Sequence, residues 1–282
     1  MKVIERIADF KNLRPHLAQP VGLVPTMGYL HEGHLSLVRR ARMENLSLVV
    51  SIFINPKQFG PGEDFKQYPR KFEQDLKLLQ KERVDAVFAP RTREMYPVGF
   101  DSRAEVGRLT RRLEGACRRS HFRGMTTVVA KLFNIVQPDV AYFGQKDAQQ
   151  AIVIKKMVAD LNMNLKIVIR PTVRQPDGLA LSSRNSYLGP GERRAATVLY
   201  KALTKAEDLW SKGERDAERL RQEMTALIKK EPLAEIDYVS VANTETLDEL
   251  DTIKSPALVS LAVKIAGIRL IDNVVLPGRY RL

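Results

Sequence analysis

A single cysteine, Cys117, and four histidines in 282 residues leave no material for an intrachain disulfide or a Cys/His zinc cluster. Neither a covalent staple nor a protein-ligated metal is expected. Long apolar runs are missing as well: Leu46–Ile54 falls far short of the ~20 residues that a bilayer-spanning helix needs, and Lys264 interrupts the apolar stretch near the C-terminus. No membrane span or membrane partner is expected. The opening residues Met1–Arg6 carry charges where a secretory signal has its apolar core, which makes the cytoplasm the expected compartment. Four motifs are absent: Gly-x-Gly-x-x-Gly, the Walker Gly-x-x-x-x-Gly-Lys-[Ser/Thr], Gly-x-Ser-x-Gly and His-Glu-x-x-His. Dehydrogenase, P-loop NTPase, serine hydrolase and zincin chemistry are therefore unsupported.

What is present is ordinary globular composition, 44% hydrophobic and 28% charged, in a length that suggests about two domains. A formal net charge of +13 favours anionic partners without saying which. Several basic residues come in pairs with acids interspersed (Arg39-Arg40, Lys155-Lys156, Arg193-Arg194), the pattern of solvated helix faces. Only Arg108–Arg123 is locally one-signed, with Glu114 as its sole acid.

Hydrophobic periodicity divides the chain. Strands are expected at 21–24, 46–54, 85–88, 140–143 and 165–169, with helices at 34–43, 71–82, 125–136 and 148–161 between them. In the 71–82 helix Phe72, Leu76 and Leu79 share one face. Alternation of this kind predicts a Rossmann-like α/β domain over 1–172, a parallel sheet binding ligand beyond the C-terminal ends of its strands. From residue 173 the pattern changes to a turn at Asp177-Gly178, helices at 192–212 and 216–230, and strands at 236–241, 257–263 and 268–275. A smaller α+β domain over 173–282 is expected to act as a lid closing over the bound ligand.

The loops after these strands carry the polar residues. Pro25-Thr26-Met27-Gly28-Tyr29-Leu30-His31-Glu32-Gly33-His34 follows the first. Gly28 and Gly33 would let backbone approach a phosphate, and His31 and His34 share one side of a helix start whose unpaired N–H groups attract anions. Asn55 and Gln58 offer neutral amides at the next strand end, suited to hydroxyl and carboxylate groups. After the 140–143 strand come Gly144, Gln145, Lys146 and Asp147, with Gln150 one helical turn on. Lys146 suits a phosphate, and Asp147 suits a helix cap or a ribose hydroxyl. Leu181-Ser182-Ser183-Arg184 has two hydroxyls and a guanidinium, the makings of a phosphate-gripping loop.

At these residues the chain resembles the pantothenate synthetases, the pantoate–β-alanine ligases of coenzyme A biosynthesis. The match runs from Pro25–His34 through Asn55-Pro56 with Gln58–Gly60, Asp64 with Tyr68–Arg70, His121–Gly124, Lys131–Val136 and Tyr142–Gln150. It continues into Asp177–Asn185 and the closing Arg269-Leu270-Ile271-Asp272-Asn273. The resemblance implies ATP-dependent condensation of (R)-pantoate with β-alanine through a pantoyl adenylate, releasing pyrophosphate and AMP, with Mg²⁺ accompanying ATP and a homodimer as the assembly. It also implies roles. Met27, Gly28, Tyr29, Leu30, His31, Glu32, Gly33 and His34 would border ATP, with His34, His31 and Lys146 catalytic. Gly144, Gln145, Lys146, Asp147, Leu181, Ser182, Ser183 and Arg184 would complete the nucleotide site, and Val173 would lie against adenine. Gln58, Gln150, Asn55, Arg118, His121 and Tyr68 would hold pantoate or β-alanine. Two positions depart from the family pattern: Gln145 where Glu is usual, and Arg119-Ser120 before His121.

Two rival functions follow from the same residues. A nucleotidyltransferase acting on a phosphorylated acceptor shares the His-x-Gly-His loop, but Gln58 and Gln150 suit a hydroxy acid better than a phosphate. An RNA-binding module would use the net charge and leave the phosphate loops without a purpose, so no nucleic-acid partner is expected.

Overall fold

A computed structural model describes residues 1–254 and 256–278. The chain forms two compact units. The first comprises Met1–Thr110, Arg118–Gly144 and Val153–Arg170; the second comprises Arg111–Cys117, Gln145–Ile152 and Pro171 onward.

In chain order the elements up to residue 170 are β1 (Lys2–Ile4), α1 (Ile7–Leu13), β2 (Val21–Thr26), α2 (Glu32–Glu44), β3 (Ser47–Ile52), α3 (Phe72–Lys81), β4 (Ala86–Phe88) and α4 (Thr92–Met95). There follow α5 (Glu114–Cys117), α6 (His121–Val136), β5 (Val140–Gly144), α7 (Ala148–Asp160) and β6 (Lys166–Arg170). The six strands form one sheet in the order β1-β4-β3-β2-β5-β6, every pair parallel. The expected Rossmann-like sheet is thus present, and its strand order reverses direction at β2, the position where such sheets bind ligand. Val24, Leu48, Val50 and Val87 from the strands meet Leu37, Val38 and Ala41 of α2 and Leu79 of α3 in its core.

Pro25 has a part in opening that position. From sequence, β2 is expected to end at Val24, yet it continues through Pro25 to Thr26 alongside β3. Thr26 accepts the Phe53 N–H at 3.0 Å on the β3 side, so by alternation the Pro25 nitrogen faces β5. A proline there has no N–H to continue the ladder. The β2–β5 pairing stops at Leu23↔Ala141.

Several boundaries differ from the sequence expectation. α2 begins at Glu32, not residue 34, because His31 caps it. α6 begins at His121, four residues before the apolar periodicity starts, since its polar first turn gives no hydrophobic signal. β1 is three residues long and was unforeseen; it docks on β4 through Lys2 N–H to Asp85 C=O and Ala89 N–H to Ile4 C=O, both 2.8 Å.

In the second unit, α8 (Pro190–Ala195), α9 (Val198–Ser211) and α10 (Ala217–Ile228) precede an antiparallel sheet of β7 (Ala234–Asn243), β8 (Ala257–Ile265) and β9 (Ile268–Leu276). The smaller α+β architecture is as expected. Leu199, Leu203, Leu220 and Met224 of α9 and α10 pack with Val259, Leu261 and Val263 of β8, the central and most buried strand. The single helix expected over 192–212 is two: Pro190 starts the first early, and Thr197 breaks the run with its hydroxyl donating to the Arg194 carbonyl at 2.8 Å. Among the described residues no helix is long and apolar enough to cross a membrane.

Candidate active site

The loop between β2 and α2 has its backbone donors satisfied nearly residue by residue. The Thr26 hydroxyl donates to the Ser51 carbonyl at 2.8 Å and accepts the Gly28 N–H at 3.1 Å. Asp75, from α3, accepts the N–H groups of Tyr29 and Leu30, both at 2.8 Å. Gly28 has φ +81°, and a Cβ there would lie 3.0 Å from Ile52 and 3.1 Å from Asp75, so the carboxylate reaches the backbone only over a glycine. Burial pushes the Asp75 carboxyl above its usual 3.8, although both N–H donors pull the other way.

His31 and His34 close the loop as a reciprocal cap. His31 Nδ1 accepts the Gly33 N–H at 3.2 Å, and His34 Nδ1 accepts the His31 N–H at 3.4 Å. Their rings lie 4.1 Å apart, centre to centre. Of the first amides of α2, the Gly33 N–H is thus taken by the His31 ring and those of His34 and Leu35 by the His31 carbonyl at 2.8 and 3.1 Å, so fewer of them face outward than a bare helix start would offer. With each Nδ1 accepting, the ring proton belongs on Nε2, so each imidazole presents an Nε2–H donor instead. Glu32 points away to pair with Arg39, whose hydrogen bond lowers its carboxyl pKa.

A second group of side chains gathers on the turn after β3. Asn55 is buried with every polar atom occupied. Its Nδ2 donates to Gln58 Oε1 at 3.1 Å and to the Gly124 carbonyl at 3.0 Å, and its Oδ1 accepts from Tyr96 Oη at 2.8 Å and from the Lys57 N–H at 3.3 Å. Gln58 Nε2 meets a weak acceptor, Met27 Sδ at 3.0 Å, which links this turn to the histidine loop. α6 lies against the turn so closely that a Cβ on Gly124 would sit 2.0 Å from the Lys57 carbonyl oxygen. The His121 Nδ1 lies 2.9 Å from the Gln58 carbonyl. Arg118 grips Glu63 in a bidentate pair at 2.6 and 2.8 Å. Burial raises the Glu63 pKa, but the Arg118 guanidinium, the Gly60 amide and His121 outweigh it and hold the carboxyl below its usual value. Tyr68 is buried with its ring against Phe59. Met27, Gly28, Tyr29 and Asp75 also line a cleft of about 390 Å³ with Phe53 and Arg91.

Apart from Gly144, which ends β5 in the first unit, the other candidate residues belong to the second unit. The chain leaves β5 at Gly144 into a turn, Gln145–Asp147, and then α7, whose first turn carries Gln150. Lys146 Nζ lies 3.6 Å from Asp147. Val173 precedes a hairpin in which the Leu181 N–H returns to the Val173 carbonyl at 3.0 Å and Arg174 bridges Ala180. Ser182 then caps a short 3₁₀ turn over Ser183–Tyr187 by accepting the Arg184 N–H at 3.3 Å, and Ser183 is buried.

The basic stretch expected to be one-signed is answered by acids distant in sequence: Arg112 meets Asp248, Arg118 meets Glu63, and Arg123 lies 3.6 Å from Glu105. Glu114 takes Arg269 in a bidentate pair at 2.6 and 2.9 Å, with Tyr238 Oη donating at 3.0 Å. The residues sequence reasoning passed over are Asp75, Glu63, Tyr96 and Arg174. Asp75 did leave a signal, a carboxylate lying between Phe72, Leu76 and Leu79 on the apolar face of its helix. Glu63, Tyr96 and Arg174 left none.

The model of the family Pantoate-beta-alanine ligase matches residues 2–275. The pantothenate synthetase of Roseiflexus castenholzii is 57% identical over 278 residues, covering 99% of this chain and 100% of its own. That of Thermotoga petrophila is 52% identical over 279 residues, covering 98% and 100%. Among solved structures, pantothenate synthetase from Thermus thermophilus superposes with a TM-score of 0.94 at 46% identity, over 97% of this chain and 99% of that one. Pantoate-beta-alanine ligase from Francisella tularensis, complexed with beta-gamma ATP and beta-alanine, does so with a TM-score of 0.82 at 36% identity, over 98% and 97%. By sequence along its length and by fold, this chain belongs to the pantoate–β-alanine ligase family.

Proposed function

We propose that this protein joins (R)-pantoate to β-alanine at the expense of ATP. A pantoate carboxylate oxygen attacks the α-phosphorus, the bond to the bridging oxygen breaks, and pyrophosphate leaves. The β-alanine amine then attacks the acyl carbon of the pantoyl adenylate, loses a proton, and expels AMP to give pantothenate. Charge builds on phosphate oxygens and on pyrophosphate in the first step, which calls for fixed donors. The Nε2–H groups of His31 and His34 supply two of them. Lys146 supplies a mobile positive charge, and Ser182, Ser183 and Arg184 supply hydroxyl and guanidinium donors. Gly144, Gln145 and Asp147 accompany Lys146 at the nucleotide, and Val173 borders the base. Gln58 and Gln150 hold pantoate, with Arg118 and His121 toward the carboxylate of either acid and Tyr68 behind them. Mg²⁺ accompanies the ATP on phosphate oxygens, the hard ligands it prefers. It is assigned no protein ligand.

The observation that carries this proposal is Gln58, whose amide nitrogen is held at 3.0 Å from a thioether while Asn55 fixes its oxygen. A weakly bound N–H at the edge of the two-histidine loop suits a hydroxy acid. A phosphorylated acceptor would call for Arg or Lys at that place. We further propose a cytoplasmic homodimer with small-molecule partners only; sedimentation of the purified chain checks the assembly.

The direct test supplies ATP, Mg²⁺ and pantoate with and without β-alanine and follows pyrophosphate, AMP and pantothenate. Stoichiometric AMP and pantothenate only with all components is the expected result. Pyrophosphate release independent of pantoate would overturn the proposal in favour of a nucleotidyltransferase.

A further inference from the structure

The closing motif Arg269-Leu270-Ile271-Asp272-Asn273 lies on β9, and none of the chemistry above uses it. Successive residues of a strand project to opposite faces, so Asp272 and Asn273 address different neighbours. Asn273 turns to the Gln145–Asp147 turn. Its Nδ2 gives one hydrogen to the Gln145 carbonyl and the other to the Lys146 carbonyl, both at 2.9 Å, and its Oδ1 accepts from Gln145 Nε2 at 3.4 Å. Asp272 is fully buried and takes Arg174 in a bidentate pair at 2.5 and 3.0 Å. Arg174 in turn donates to the Gly178 carbonyl at 3.1 Å and to the Asn273 carbonyl at 3.3 Å, and its guanidinium lies 4.6 Å from the Tyr200 ring centre.

We infer that Asn273 is the positioning residue for Lys146, and that Asp272, through Arg174, does the same for the hairpin that begins at Val173 and delivers Ser182–Arg184. Resting on the ATP-dependent function proposed above, this inference gives the motif a purpose, in that two adjacent side chains of one strand set the backbone of two nucleotide-binding segments. Lysine is a point charge on a flexible stem, so its backbone must supply the aim. A two-residue stretch whose carbonyls share a single amide is fixed in both position and direction. Asn is suited to this role because its amide has two donors in one plane and an acceptor beside them. Aspartate has the same shape and offers no hydrogen to either carbonyl.

Asn273→Ala and Asn273→Asp test it. Two readouts are needed: hydrogen exchange over residues 144–149 by mass spectrometry, and steady-state kinetics of pyrophosphate formation from ATP and pantoate. Both variants are expected to raise exchange in that segment at least about tenfold, leaving β2 and β3 unchanged. Turnover should fall about 10- to 100-fold and the ATP KM rise, while the β-alanine KM stays within about twofold, on the scale of second-layer support in enzyme sites. A role in folding alone would scale all activity with the folded fraction and leave both KM values in place. Unchanged exchange, or loosened exchange with unchanged ATP kinetics, overturns the inference. If Asn273 variants do not fold, Gln145→Ala removes one of the three bonds without touching β9, and a rise in exchange of about threefold is expected, with no rise overturning it. Failure of the unsubstituted chain to form pyrophosphate would remove the proposed reaction, while the exchange arm would still decide whether Asn273 holds the turn.

Discussion

The two loops proposed to meet the nucleotide phosphates are held in opposite ways. Met27–His34 is fixed largely by groups close in sequence, Thr26 two residues before Gly28 and His31 and His34 capping each other, with Asp75 and Gln58 reaching it from outside. Gln145–Asp147 is held from the far end of the chain by Asn273, 127 and 128 residues away. Local support depends on residue types at fixed spacing and survives in any context that keeps the helix. Remote support depends on the whole second sheet being in register, with Asn273 opposite Ser260 and Asp272 opposite Leu261.

Removing the inner support of the first loop should have the largest effect. His34→Ala deletes one Nε2–H donor and half of the cap. Turnover in the pyrophosphate-forming step is expected to drop by about 10²–10³, the scale of losing one fixed donor to developing charge. The cap itself contributes only about 1 kcal/mol, so the melting temperature should move by a few degrees at most. Stopped-flow or isotope-exchange measurement of adenylate formation checks this. Adenylate formation that survives nearly intact would remove His34 from the chemistry.

Much of the first loop could be read directly from sequence, and little of the second. His-x-Gly-His after an apolar strand states its own geometry, since three residues are most of a helical turn. The parallel sheet was equally legible, because strands buried on both faces read as apolar runs. Pro25 misled the strand boundary, since its missing N–H matters on one side of β2 and not on the other. Sequence placed Asn273 in a family motif without a purpose, since no periodicity tells which strand in one half of a unit grips which turn in another. Arg174 with Asp272 and Glu114 with Arg269 were beyond reach for the same reason: a buried ion pair is a tertiary fact.

Asp75 reaches the first loop from α3, and its loss should cost less than that of His34. Asp75→Asn leaves one acceptor for two N–H groups, and Asp75→Ala leaves none. A fall in turnover of about 10- to 30-fold is expected for Ala and less for Asn, the scale of a displaced site backbone. pH adds a separate check. The carboxyl is raised above its ordinary 3.8 by burial, so its protonation favours the folded state below that value and this contribution is lost as pH rises through the folded pKa. Protonation also weakens acceptance from Tyr29 and Leu30. Activity of the unsubstituted chain should therefore decline toward acid through a pKa above 3.8 without loss of fold, and Asp75→Asn should lack that limb.

Third comes Glu63→Gln, which breaks the bidentate hold on Arg118 and leaves both loops intact. The KM for pantoate or β-alanine should rise about fivefold with little change in that for ATP, in keeping with the modest worth of one partly exposed charge pair. Glu63 is held below its usual 4.5, so its contribution to stability is present above that pH and disappears as pH falls through the depressed value. Melting curves of the two proteins should differ above pH 4.5 and converge in acid.

The smallest effect is expected from Gln145→Glu, and it sharpens the comparison most finely. Gln145 contributes one long bond, 3.4 Å, to the Asn273 oxygen, whereas Asn273 contributes two at 2.9 Å to the backbone. A carboxylate at 145 cannot donate, and the position is partly exposed, so it can turn to solvent and leave the two backbone bonds unchanged. Loss of one weak hydrogen bond corresponds to about 0.5 kcal/mol, or about a twofold fall in pyrophosphate formation. Parallel kinetics of Gln145→Glu and Asn273→Ala measure the two grips separately. An effect of Gln145→Glu as large as that of Asn273→Ala would mean that the side chain at 145, and not the backbone held by β9, sets the aim of Lys146.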